Sequence, residues 1–230
     1  MKTIGLIGGM SWESSLEYYR ILNEKTKEEL GQQHSSKCVM TSVDFQEIAV
    51  LQHEDKWDEL TKTMIDLAKD LEAAKAEIIV ICTNTMHKMA DDVEANVSIP
   101  VIHIVDSVAK QIEKLGLKKV GLLGTKFTME QDFYKGRLID KFGLDVVVPN
   151  ADDREIIHNI IYHELILGTF KKESKQKYVK IINKMIEEGA EGVILGCTEI
   201  PLLVLPEDVT IPIFDTTKIH AESAVLEAIK

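Results

Sequence analysis

The stretch Ile81-Cys82-Thr83-Asn84-Thr85-Met86-His87 decides the fold, because the chain writes it a second time, in altered form, as Leu195-Gly196-Cys197-Thr198-Glu199-Ile200. Each copy follows a short apolar run, residues 77–81 and 192–195, of the kind that forms a strand buried on both faces of a parallel sheet. Each then offers Thr, Asn or Glu where a helix can begin. A strand's carboxyl end meeting a helix's amino end presents free backbone N–H groups and the positive end of the helix dipole, and open α/β proteins hold ligands there. The chemistry is therefore expected at Thr83 and Cys197.

The repetition extends along the chain. Ile4-Gly5-Leu6-Ile7-Gly8 corresponds to Val120-Gly121-Leu122-Leu123-Gly124, Thr83-Asn84-Thr85 to Cys197-Thr198-Glu199, and Ile99-Pro100 to Ile211-Pro212, at offsets of 116, 114 and 112 residues. Between the apolar runs lie amphipathic patterns such as Trp57, Leu60, Met64, Leu67, Ala68 and Leu71, the spacing of a helix with one buried face. Strands joined by helical crossovers pair in parallel. The fold class expected is α/β: two similar α/β domains with mainly parallel sheets, pseudo-two-fold related, with the active site in the interdomain cleft. Strands are expected at 2–8, 38–43, 77–81, 99–104, 119–123, 144–148, 191–195 and 211–214. Helices are expected between them, among others over 84–97, from Asp106 or Ser107 to Gly116, and through 142.

Composition narrows the partners. A net charge of −11 argues against nucleic acid or an acidic membrane, since either needs a clustered basic face. A small molecule or a like protein is expected instead. No apolar run approaches the roughly 20 residues of a membrane span, and the N-terminus enters a strand pattern directly, so a cytoplasmic location is expected. Cys38, Cys82 and Cys197 are odd in number and widely spaced. That favours free thiols in a reducing compartment over disulfides or a zinc cluster, and no histidine or carboxylate spacing suggests a metal. Gly8-Gly9-Met10-Ser11 provides a tight turn, yet it has neither a G-x-G-x-x-G order nor a Walker lysine, so no nucleotide cofactor is expected.

Groups facing each other across a cleft suit the removal of a proton from one face of a tetrahedral carbon and its return to the other. A thiol can do either job, and the N–H groups after Cys197 are expected to bring its titration toward neutrality. Glu199 is placed to orient or repel the thiolate.

The G-x-[IL]-G-G-M start, the Asn84-Thr85-x-His87 motif and Gly196-Cys197-Thr198-Glu199 together resemble the cofactor-independent aspartate/glutamate racemase family, over the whole chain. The resemblance implies two α/β domains, pyridoxal-free inversion at the α-carbon of an acidic amino acid, no cofactor, and a homodimer. It implies a domain division of 1–98 plus 210–230 against 99–209. It also puts Thr83 where the family carries its first catalytic cysteine, with Cys82 one position early. Because side chains alternate along a strand, Cys82 is expected to point into the sheet packing. Cys197 stands at the second cysteine, the one associated with L-enantiomers, so L-substrates are expected to be favoured. Further family pocket positions fall on Met10, Asn84, Thr85, Thr125, Thr198 and Glu199.

The lysine that acid-specific members use aligns with Ile166, and residues 44–52 hold no arginine, so either neutral donors such as Gln52 replace the basic residues or the substrate is less acidic than the family name implies. For Thr125 a helix cap is the competing reading, and for His87 and His220 a structural role is favoured. The alternatives in function are a broader-specificity amino-acid racemase, a single-cysteine malonate-type decarboxylase, and a non-catalytic amino-acid-binding protein.

Overall fold

The computed structural model describes residues 1–230. The elements in chain order are β1 (Ile4–Gly8), α1 (Trp12–Leu30), β2 (Cys38–Ser42), α2 (Phe45–His53), α3 (Trp57–Ala73), β3 (Ile78–Ile81), α4 (Ala90–Glu94) and α5 (Ile104–Lys114). They continue as β4 (Lys119–Gly124), α6 (Lys126–Glu130), α7 (Asp132–Phe142), β5 (Asp145–Val147), α8 (Ala151–His163) and α9 (Lys172–Glu187). The chain ends with β6 (Gly192–Gly196), α10 (Ile200–Leu203), β7 (Ile213–Asp215) and α11 (Thr216–Ile229). Two compact units result: Met1–Ile104 with His220–Lys230, and Val105–Ile219.

In the first unit the strand order is β2-β1-β3, all parallel. Alternation along the central strands sends their side chains to opposite layers. Ile7, Ile79 and Ile81 pack with Leu60, Met64, Ala68 and Leu71 of α3. Ile4, Leu6, Ile78, Val80 and Cys82 pack with Tyr18 and Leu22 of α1 and with Ala221, Ala224, Val225 and Ala228 of α11. The second unit repeats the plan as β5-β4-β6-β7, again parallel. There Leu123, Val193 and Leu195 pack with Ile157 and Ile161 of α8 and Tyr178 and Ile182 of α9.

Several expected elements are altered, each for a local reason. The strand expected over 99–104 is reduced to a single bridge, Ile79 to Val101, because α5 already begins at Ile104 and leaves too little extended chain. Its counterpart β7 forms a full ladder on β6. Residues 99–104 group with the first unit and 210–219 with the second, so the units meet at Ile104/Val105 and Ile219/His220, where the resemblance implies 98/99 and 209/210. The helix expected over 84–97 is a 3-10 turn, Thr85–Met89, followed by the short α4, and Asn84 makes no side-chain cap. The helix expected through 142 breaks at Gln131, whose backbone is extended.

One histidine in the first unit, His220, is fully committed to the fold. Nε2 of His220 lies 2.6 Å from the Ile102 carbonyl and so must carry the proton; Nδ1 then accepts from the Tyr18 hydroxyl at 2.8 Å. Burial lowers the His220 pKa from 6.5 to about 4, against the opposing hydrogen bond to Ile102.

Since the folded pKa lies below the unfolded one, this stability is complete above pH 6.5 and declines as pH falls toward 4. The slope is about 1.4 kcal/mol per pH unit and the total roughly 3 kcal/mol. A His220→Gln variant is expected to be less stable than wild type at pH 7, with the gap shrinking toward pH 4 in denaturant titrations. A gap independent of pH would contradict the assignment.

Candidate active site

Register brings the two loops of each unit to adjacent strand ends. In the first unit Ile7 pairs with Ile81, so the Gly8–Ser11 and Cys82–His87 segments leave the sheet side by side. Gly9 is required in the first: it has φ +92°, and a Cβ there would lie 2.3 Å from the Val43 carbonyl oxygen. Its N–H donates to Ser15 Oγ at 2.8 Å. The Ser14 hydroxyl donates to the Cys82 carbonyl at 2.8 Å, and the Cys82 N–H donates to the Ile7 carbonyl at 2.9 Å.

From Ile81 to His87 every residue is buried except Thr83. The motif therefore presents a single side chain, the threonine. Cys82 is fully buried on the α1 and α11 side of the sheet, where burial pushes its thiol up. Met10 is buried among Ile7, Ile48, Ile81 and Met86, so its side chain packs in the core. Gln52 is also buried, with its amide 3.3 Å from Met86 Sδ. Asn84 and Thr85 are buried at the start of the 3-10 turn.

In the second unit Gly124 pairs with Gly196, so Thr125 and Cys197 emerge from equivalent positions on neighbouring strands. The fit is close, for a Cβ on Gly196 would lie 2.8 Å from the Leu123 carbonyl oxygen. Thr125 caps α6, accepting from the Thr128 N–H at 3.3 Å and lying 3.2 Å from the Thr128 hydroxyl. The competing cap reading therefore describes what its hydroxyl does. Ile166 lies in a 3-10 turn, Leu165–Leu167, packed against the apolar core.

Around Cys197 the contacts are polar and short. Its Sγ–H donates to Glu199 Oε2 at 3.0 Å, and the Thr198 hydroxyl donates to the same oxygen at 2.7 Å. Burial raises the Cys197 pKa well above its ordinary value; the Glu199 charge and hydrogen bond raise it further, against opposing N–H groups of Glu199 and Ile200. The expectation of titration near neutrality is thus overturned. The helix-end N–H groups are present, but a carboxylate beside a buried thiol outweighs them. Resting Cys197 is a thiol whose proton is already directed at a base.

Tyr162 is a residue the sequence reading missed. It packs against the Cys197 core, and burial first, then the negative charge of the Cys197–Glu199 pair, push its hydroxyl up. Its ring centroid lies 4.7 Å from that of His158, whose Nδ1 accepts from the Lys126 N–H. The available signal was the spacing of His158 and Tyr162, one helical turn apart on α8. No group of three or more histidines, cysteines or carboxylates is arranged to hold a metal ion.

Residues 7–224 match the family model described as Asp/Glu/Hydantoin racemase. The chain belongs to that family. An Asp/Glu-racemase-type protein from Yersinia pestis is 49% identical, with complete coverage of both chains and a TM-score of 0.94. PH1733, an aspartate racemase homologue from Pyrococcus horikoshii OT3, is 41% identical, also with complete coverage of both, at a TM-score of 0.87. The broad specificity amino-acid racemase RacX of Bacillus subtilis is 25% identical over 175 residues, 73% of this chain and 72% of RacX. Membership makes the chain an isomerase of the racemase type. No helix is long and apolar enough to cross a membrane.

The Glu199 contact makes a prediction that separates thiol ionisation from catalysis. In Glu199→Gln the charge that opposes the thiolate is gone, so the Cys197 pKa falls. Iodoacetamide alkylation of Cys197 is expected to run faster than in wild type at a given pH, while racemase activity drops. An unshifted pH profile of alkylation would show that Glu199 does not control the thiol.

Proposed function

We propose that this protein is a cofactor-independent amino-acid racemase acting at the α-carbon of aspartate or glutamate and favouring the L-enantiomer. Cys197 is the acid–base group for one face of the α-carbon, and Thr83 serves the other. The observation that carries this reading is the Cys197 Sγ–H bond to Glu199 Oε2. A proton moving from sulfur to carboxylate converts thiol and carboxylate into thiolate and carboxylic acid. The pair keeps one negative charge throughout, so no second charge is buried. The thiolate then takes the α-hydrogen of the L-substrate. Thr83, the half-buried residue of its otherwise buried motif, relays a proton to the opposite face, its hydroxyl taking one from solvent water as it gives its own.

The asymmetry has a chemical basis. A threonine hydroxyl donates or relays a proton well but is a poor base near neutral pH, so deprotonation from the Thr83 side is the slower direction. The backbone N–H groups of Asn84, Thr85 and Thr198 and the hydroxyl of Thr125 are proposed as donors to the substrate carboxylate and the carbanionic intermediate, an anion-stabilising role. Met10 and Gln52 are proposed to shape the pocket. The buried core position of Met10 assigns it packing and a backbone contribution. The same reading includes a cytoplasmic homodimer, for which the exposed stripe of Trp12, Leu16 and Tyr19 on α1 is one candidate apolar surface. Leu16→Glu is then expected to shift the sedimenting species from dimer to monomer.

In heavy water the α-hydrogen of L-glutamate or L-aspartate is expected to exchange faster than that of the D-enantiomer. Cys197→Ala is expected to lose about 100-fold or more of that exchange, the scale of a positioned acid–base group. Faster exchange of the D-enantiomer, or undiminished activity in Cys197→Ala, would refute the assignment. Exchange confined to neutral amino acids would refute the substrate class.

A further inference from the structure

We propose that His87 is a positioning residue for Thr83, acting through the backbone of the loop that carries it; this rests on the reading of Thr83 given above. The inference starts from a missing helical bond. In an α-helix the Thr83 carbonyl would accept from the His87 N–H, but here the turn is 3-10, and that N–H goes to Asn84 at 3.1 Å. The imidazole of His87 takes the vacant place, with Nδ1 lying 2.8 Å from the Thr83 carbonyl oxygen.

The proton position follows from the other ring nitrogen. Nε2 receives the Ile104 N–H at 3.1 Å, so it is the acceptor. Nδ1 must then carry the hydrogen and donate to Thr83. His87 is buried, and its ring lies 4.9 Å from that of His103 and 5.3 Å from that of His220, centroid to centroid. His220 is itself fixed between Tyr18 and Ile102. The imidazole is thereby held from two sides.

The consequence falls on one side chain. Cys82 is tied through its N–H to Ile7 and through its carbonyl to Ser14, and the next carbonyl, that of Thr83, is tied to His87. These bonds set the backbone dihedrals at Thr83, and with them the rotamers open to its hydroxyl. A proton donor needs that definition, since displacement of about 1 Å can cost on the order of 100-fold in rate.

The test separates the two bonds of the ring. An asparagine amide nitrogen replaces Nδ1 and can still donate to Thr83, whereas a glutamine amide reaches the Nε2 position and can keep only the Ile104 contact. In heavy water, L-glutamate is followed both for α-hydrogen exchange without inversion, which needs Cys197, and for conversion to D-glutamate, which also needs Thr83. His87→Gln is expected to lower the ratio of inversion to exchange roughly tenfold or more, and His87→Asn to hold it near wild type. Thr83→Val serves as the reference. If Thr83→Val leaves the ratio intact, the reading of Thr83 itself fails. If Thr83→Val collapses the ratio but His87→Gln does not, only the positioning role fails. Equal collapse in both His87 variants, in step with lost thermal stability, would make His87 merely structural and overturn the proposal. In the wild-type protein, nitrogen NMR shifts of His87 are expected to show the proton on Nδ1, and a proton on Nε2 would overturn it as well.

Discussion

Parallel pairing of the first strand of each unit with its third is the constraint on which the site depends. Because β1 lies against β3, and β4 against β6, two loops that are distant in sequence leave the sheet at adjacent points. The pairing needs nearly flush contact where the strands end, which is why glycines stand at 124 and 196 and why Gly9 follows β1 at a backbone angle that other residues rarely adopt. Once those contacts are made, little freedom remains in the loops. Carbonyls and N–H groups of the first unit's loops are taken up by Ser14, Ser15 and His87, the Thr125 hydroxyl of the second accepts from the Thr128 N–H, and the few side chains left over are those available for chemistry.

Much of this was legible in the sequence because its causes are local. The strand runs at 78–81 and 192–196 are apolar without interruption, as strands covered on both faces must be, and the repetition of the motif after each identified the paired loop ends. The displacement of Cys82 followed from alternation alone, and the packing of Cys82 with Tyr18 and Leu22 fits it. What could not be read depended on competition. The stretch at 99–104 has the composition of a strand, yet α5 starts within it. Thr125 carries the residue type of both a ligand donor and a helix cap, and the position of the Thr128 N–H decides its contact.

The electrostatics of Cys197 were illegible for a related reason. A sequence shows that N–H groups follow the cysteine but not which way Glu199 turns. The carboxylate turns back to the thiol, so burial and like charge act together against the thiolate. The proposed function accordingly starts from a thiol hydrogen-bonded to a carboxylate. Burial first, and then the negative charge of the Cys197–Glu199 pair, push up the hydroxyls of Tyr162 and Tyr178.

The last helix has a consequence for the order in which the protein can be completed during synthesis. The second unit is one continuous segment, whereas the first lacks a layer of its core until Ala221, Ala224, Val225 and Ala228 arrive to cover Ile4, Leu6 and Val80. Even the N-terminal backbone waits for them, since the Lys2 N–H is bonded to the Ala228 carbonyl. A growing chain therefore leaves one side of its earliest sheet uncovered until its last helix is made. The part made first is the part finished last, which makes the C-terminal residues a poor place for truncation and the nascent β1 and β3 natural clients of a holding chaperone.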